Sequence, residues 1–97
     1  MFSCRIYDQG SDKLLAVCDY GIMEKTFSSG GIEIEVGEFY KGEKCDAKKA
    51  LDLAKRSTII NAIGNEIVGL LIKNKLVDKE SVLEIGGVLH AQVVAIE

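Results

Sequence analysis

His90 is the lone histidine in a chain of 97 residues. Its ordinary pKa lies near neutrality, so it could act as a base, an acid or a ligand. Gln92 falls on the same side of an extended chain, because strand side chains alternate. Just upstream, Gly86-Gly87 lets the backbone approach a ligand or present N–H groups to an anion. A working constellation needs a further polar group from elsewhere, and Asn61, on a stretch with few charges, is the best available. Gly86, Gly87, His90, Gln92 and Asn61 are therefore the candidate ligand or partner site. The plainer reading of the same segment is a Gly-Gly hairpin turn followed by a histidine hydrogen-bonded at a strand edge.

Three other groups could carry chemistry. Phe39 and Tyr40, followed by Lys41 and Lys44, could stack a base beside its phosphates, which makes Phe39, Tyr40 and Lys41 candidate RNA contacts. Aromatic residues after a strand more often plug a core. Glu33, Glu35 and Glu38 could act as acid and base or hold a metal, but alternating glutamates are also what the wet face of a strand requires. Cys4, Cys18 and Cys45 are odd in number and lack a CxxC pair, so buried free thiols fit better than disulfides or zinc. No Gly-Lys-Ser or Gly-Lys-Thr phosphate loop, dinucleotide fingerprint, nucleophile elbow or spaced metal motif occurs. We expect no metal and no cofactor.

The bulk numbers narrow the class. A net charge of −3 works against nonspecific duplex binding, which draws on clustered Lys and Arg. Apolar residues at 47 % and charged residues at 28 %, of mixed sign, argue against disorder. The length fits a single domain over residues 1–97. The N-terminus lacks the basic region and apolar run of a signal peptide. The stretch Ile59 to Ile72 is too short and too interrupted by polar residues to span a bilayer. A cytoplasmic protein with no membrane partner is expected.

The elements that must position these residues follow from periodicity. Phe2, Cys4 and Ile6 alternate with polar neighbours, and Leu14 to Cys18 is a second apolar run. Gly10-Ser11 between them suits a two-residue type II′ turn, which sets Gln9 opposite Asp12 and Cys4 opposite Val17. Asp19 is a candidate cap for a short helix holding Ile22, Met23 and Phe27. Ile32 to Val36 alternates as a strand, and Asp46 can cap a helix running to about Arg56. Thr58 to Lys73 reads as the main helix, with Ile59, Ile60, Ile63, Ile67, Leu70 and Leu71 on one face and Thr58, Asn61, Ala62, Asn65 and Gly69 on the other. Whether helices 46–56 and 58–73 are one or two stays open. Asn74 sits where a left-handed residue would end the helix. Val82 to Ile85 and Ala91 to Ile96 read as the last strands, the second apolar enough for a central position. The fold class is α+β: a two-layer domain, a small mixed sheet with an N-terminal hairpin, and two main helices packed on one face.

Asn61-Ala62-Ile63-Gly64, Leu76-Val77 and the segment Ile85 to Gln92 resemble one family, the archaeal family catalogued as domain of unknown function 424. Glu38-Phe39-Tyr40, Gly42 and the segment Leu14 to Phe27 are similar to its middle section. The resemblance runs in order over nearly the full chain. It departs at Leu89, where that family commonly has a proline before the histidine. The resemblance implies an archaeal cytoplasmic source and no assigned activity.

The expected role is a noncatalytic binding or adaptor module in an archaeal macromolecular assembly, RNA or translation related, with a protein or RNA partner. The alternative is a small enzyme or ligand-binding protein built on the Gly-Gly-x-x-His loop. An Ile- and Leu-rich main helix in a small domain is also compatible with a homodimer.

Overall fold

The computed structural model describes residues 1–94. Strands β1 (Phe2–Gln9) and β2 (Asp12–Asp19) form the expected hairpin, with Cys4 opposite Val17, Ile6 opposite Leu15 and Gln9 opposite Asp12. Gly10 takes the positive φ, 69°, that the first central position of a II′ turn demands. Alternation then places Cys4 and Cys18 on opposite faces, each inside a different apolar cluster.

Between the hairpin and the first helix the chain makes an excursion. A 3₁₀ turn at Tyr20–Ile22 leads into the antiparallel pair β3 (Thr26–Ser29) and β4 (Ile32–Glu35), followed by a 3₁₀ turn at Glu38–Tyr40 and the short β5 (Glu43–Cys45). Helix α1 (Ala47–Lys55) follows, and the Asp46 carboxylate accepts from Lys49 N at 2.9 Å, as an N-cap should. The expected helix around Ile22 is only that three-residue turn, and Phe27 lies in β3 instead.

The expected helix over 58–73 is a strand and a helix. Residues Ile59–Ile63 form β6, and only Asn65–Lys73 are helical, as α2. The local run is rich in β-branched residues, Thr58, Ile59, Ile60 and Ile63, which suit a pleated, buried surface. Gly64 decides the break. Its φ is 130°, outside the helical region, and a Cβ there would collide with the Asp19 carboxylate. That carboxylate accepts from Glu66 N at 3.0 Å and Ile67 N at 2.8 Å. Asp19 thus caps α2 from the end of β2, supplying what Gly64 has no side chain to supply, and at a helix N-terminus that favours negative charge. The segments 46–56 and 58–73 are therefore not one helix. At the far end of α2 the positive φ falls on Lys75, at 61°, and not on Asn74, which caps the helix with φ −96°.

The chain closes with β7 (Val82–Ile85) and β8 (Val88–Val94). The last strand thus starts earlier than residue 91, while Ala95 and Ile96 lie outside the described residues. The six-stranded sheet has the order β5-β1-β2-β6-β8-β7, antiparallel except where β2 runs parallel to β6. Both helices pack on one face, where Ala50, Ala54, Ile67 and Leu71 meet Leu15, Val17 and Ala62. On the other face the 20–40 excursion covers only part of the sheet, through Val36 and Tyr40 against Ala16, Cys18, Ile63 and Val88. The remainder of that face stays open to solvent at Gln92 and at Val94, which is 58 % exposed.

Candidate functional site

The register of the central strands assembles a polar cluster on the half-covered face. Asn61 sits in mid-β6 with Ala16 of β2 on one side and Gln92 of β8 on the other. His90 is paired with Ile63 and Leu83, one level along the same face. Tyr40, at the end of its 3₁₀ turn, is buried, and its hydroxyl donates to Asn61 Oδ1 at 2.6 Å. His90 Nε2 lies 3.1 Å from the same oxygen. A carboxamide oxygen only accepts, so Nε2 carries the hydrogen and Nδ1 is left as an acceptor. Burial lowers the His90 pKa below its ordinary value, which favours this neutral form. Burial also pushes the Tyr40 phenol up to about 12, keeping it a donor at neutral pH.

The structure thus brings Asn61, His90 and Gln92 onto one face, and adds Tyr40 to them. It does not bring the glycines. Gly86 and Gly87 close the β7–β8 hairpin with φ of 58° and 86°, the two positive values of a type I′ turn. A Cβ on Gly86 would stand 2.8 Å from the Ser28 carbonyl oxygen, so this glycine exists to let the turn lie against β3. Asn65 fastens the same turn. Its Nδ2 donates to the Gly87 carbonyl at 3.3 Å and its Oδ1 accepts from Leu89 N at 2.8 Å. Asn61 and Asn65, read as one helical stripe in the sequence, therefore belong to different elements and do different work.

Of the aromatic candidates, Tyr40 is 4 % exposed and cannot stack a base. Phe39 is 40 % exposed and stacks on Tyr7 with ring centroids 5.2 Å apart and 16° between planes. The Arg5 guanidinium lies 4.8 Å from the Tyr7 ring centroid. These contacts exist because β1 straps the 3₁₀ turn down: Ser3 Oγ donates to Tyr40 O at 2.7 Å, Arg5 to Glu38 O at 3.0 Å and Tyr7 OH to Phe39 O at 2.8 Å. Sequence reading missed Arg5 and Tyr7. The signal was present, since Ser3, Arg5 and Tyr7 are three donors that alternate with the apolar Phe2, Cys4 and Ile6.

Glu33 and Glu35 are exposed on β4, and no group of three or more His, Cys, Asp or Glu among the described residues could hold a metal. All three cysteines are buried and free. Burial raises the Cys18 thiol to about 11 and Cys4 further, so neither is a nucleophile at neutral pH. No described helix is long and apolar enough to cross a membrane.

Comparison with known proteins bears on the fold and the family. The family model described as "Protein of unknown function (DUF424)" matches residues 7–96. No curated protein matches the sequence. Among solved structures, the chain is similar to the crystal structure of an uncharacterized conserved protein from Methanopyrus kandleri, an archaeon, at 24 % identity and a TM-score of 0.78, over 99 % of this chain and 94 % of that one. That likeness establishes the shared fold.

Proposed function

The chain belongs to the DUF424 family, proteins of unknown function, and from that premise we propose that it is a noncatalytic binding module working through the open half of its sheet. The observation that carries this reading is Asn61 Oδ1 accepting from both Tyr40 and His90. A catalytic histidine needs a proton partner poised for transfer, usually a carboxylate or nucleophile. This one donates to a carboxamide and is kept neutral by burial. What the arrangement offers is a fixed set of uncharged groups: the Asn61 amide, the His90 Nδ1 acceptor and the exposed Gln92. Leu83, 61 % exposed, and Val94 border them with apolar surface. A mixed polar and apolar patch on a rigid sheet suits recognition. The Gly-Gly-x-x-His enzyme reading draws no support from the geometry, because both glycines are taken up by the turn. Three free buried thiols support work in a reducing compartment such as the cytoplasm, as part of a larger assembly.

A photo-crosslinking amino acid placed at position 92 tests this. Irradiated in cells that naturally express the chain, it should yield a discrete adduct, whereas the same group at Asp52 on the exposed side of α1 should not. Equal labelling from both positions, or none from 92, would remove the proposal. An adduct between two copies would make the partner a second chain and the module a homodimer.

A further inference from the structure

Resting on the reading that the sheet face carrying Gln92 binds a partner, we propose that the partner is a single-stranded segment of RNA that reaches across that face to the β1 margin. Two cation–aromatic pairs stand there. Arg5 lies over Tyr7, and Lys44 Nζ lies 4.5 Å from the centroid of Tyr20, a ring 47 % exposed. The register Ser3 opposite Lys44 puts Lys44 on the same sheet face as Ser3, Arg5 and Tyr7.

Lys41 is exposed at the end of the 3₁₀ turn, on a cleft it shares with Glu24, Glu35 and Glu38. Its position depends on Gly42, where a Cβ would collide with the Cys4 carbonyl, and whose N–H donates to Ser3 Oγ at 2.9 Å. Three cations, Arg5, Lys41 and Lys44, and the rings of Tyr7, Phe39 and Tyr20 thus lie on this margin and the turn strapped to it. This is the composition of a single-strand platform, where cations follow phosphates and rings stack bases irrespective of sequence. Arg5 is held in place by its bond to the Glu38 carbonyl, so little side-chain freedom remains to be lost on binding.

The neighbouring cluster selects the sugar. Asn61, Gln92 and His90 offer donors and acceptors, both of which a 2′-hydroxyl uses. Tyr, Phe and Arg are also at home in a protein interface, but lysine is depleted there, and Lys41 and Lys44 favour the nucleic acid. A duplex fits poorly, since it hides its base faces and relies on a cationic field that a chain of net charge −3 lacks.

Fluorescence anisotropy of a labelled single-stranded RNA of about 12 nucleotides, within the usual site size, tests the inference against the same sequence as single-stranded DNA and as duplex RNA. The RNA strand should bind best and the duplex least. Three phosphate contacts on a single strand predict a log–log salt slope of about −2. Phe39→Leu, which keeps apolar packing on Tyr7, should weaken binding roughly 5- to 150-fold, the worth of one lost base stack, with the fold retained by circular dichroism, although losing the ring pairs with Tyr7 and Tyr40 lowers the melting temperature. Lys41→Glu should weaken it and flatten the salt slope by about one phosphate. No saturable RNA binding up to about 100 μM, the weak end of nonspecific affinity, would overturn the inference. So would equal affinity of Phe39→Leu and the native chain, or a preference for DNA or duplex. A ribonuclease-resistant adduct at position 92 alongside absent RNA binding would overturn the RNA occupant while sparing the binding face. Absence of any adduct at 92 would overturn the face itself.

Discussion

Removing the Tyr40 hydroxyl tests whether Tyr40, Asn61 and His90 form an interdependent network. Tyr40→Phe keeps the ring in its buried seat and deletes the 2.6 Å bond to Asn61 Oδ1. That oxygen retains the His90 Nε2 bond at 3.1 Å, so no acceptor is stranded. The expected cost is that of one ordinary intramolecular hydrogen bond, about 1 kcal/mol, or a fall of roughly 4–8 °C in Tm for a chain of this size. Asn61→Ala differs, because it leaves a buried phenol O–H with nothing to donate to. An unsatisfied buried donor costs about 1–3 kcal/mol, and we expect a loss near the upper part of that span. Combining the two changes removes donor and acceptor together. The double variant should then cost no more than Asn61→Ala alone, a coupling of about 1 kcal/mol or more. Urea unfolding of the four proteins at one pH supplies each value. If the double variant costs the sum of the singles to within about 0.5 kcal/mol, the groups act independently and the network does not exist.

Gly86→Ala should lose roughly 1–3 kcal/mol, since it forces a side chain into φ 58° and against the Ser28 backbone; crosslinking through position 92 should persist, and its disappearance would return the glycines to the site. Asp19→Ala removes two charge-assisted bonds at the start of α2 and should cost about 1–2 kcal/mol, with hydrogen exchange at the Glu66 and Ile67 amides accelerating most. Burial lowers the His90 pKa below 6.5, so the unfolded chain takes up the proton more readily than the folded one. Stability is therefore full above about pH 6.5 and declines as pH falls toward the folded-state value; His90→Gln should flatten that part of the pH–stability curve, and an unaltered slope would show that another group controls it.

How far the sequence discloses this molecule depends on how local each cause is. The hairpin is legible because alternation and Gly10-Ser11 lie within a single stretch of chain. Helix α1 is legible because Asp46 and the Ala50/Ala54 stripe do as well. The segment after Thr58 is not, since Ile59, Ile60 and Ile63 satisfy helical spacing and a buried strand alike. What separates the two is Gly64 against Asp19, a contact between residues far apart in the chain. The candidate site shows the same division. Asn61, His90 and Gln92 stand out by residue type, yet their convergence follows from β6 pairing with β8, not from a helix face. Tyr40 reaches Asn61 across 21 positions and Tyr7 reaches Phe39 across 32, and no local pattern announces either bond.

Leu89 makes the same point from the opposite direction. The family resemblance leads one to expect a proline here, whose ring would stiffen the approach to His90. In this chain the Leu89 N–H donates to Asn65 Oδ1 while Asn65 Nδ2 holds the Gly87 carbonyl. A proline has no N–H to offer, so it and the first of these bonds are mutually exclusive. The loop before His90 is thus anchored to the first residue of α2, and α2 is in turn anchored at its N-terminus by Asp19. Through that chain of contacts, the end of β2 helps to fix where the histidine ring lies.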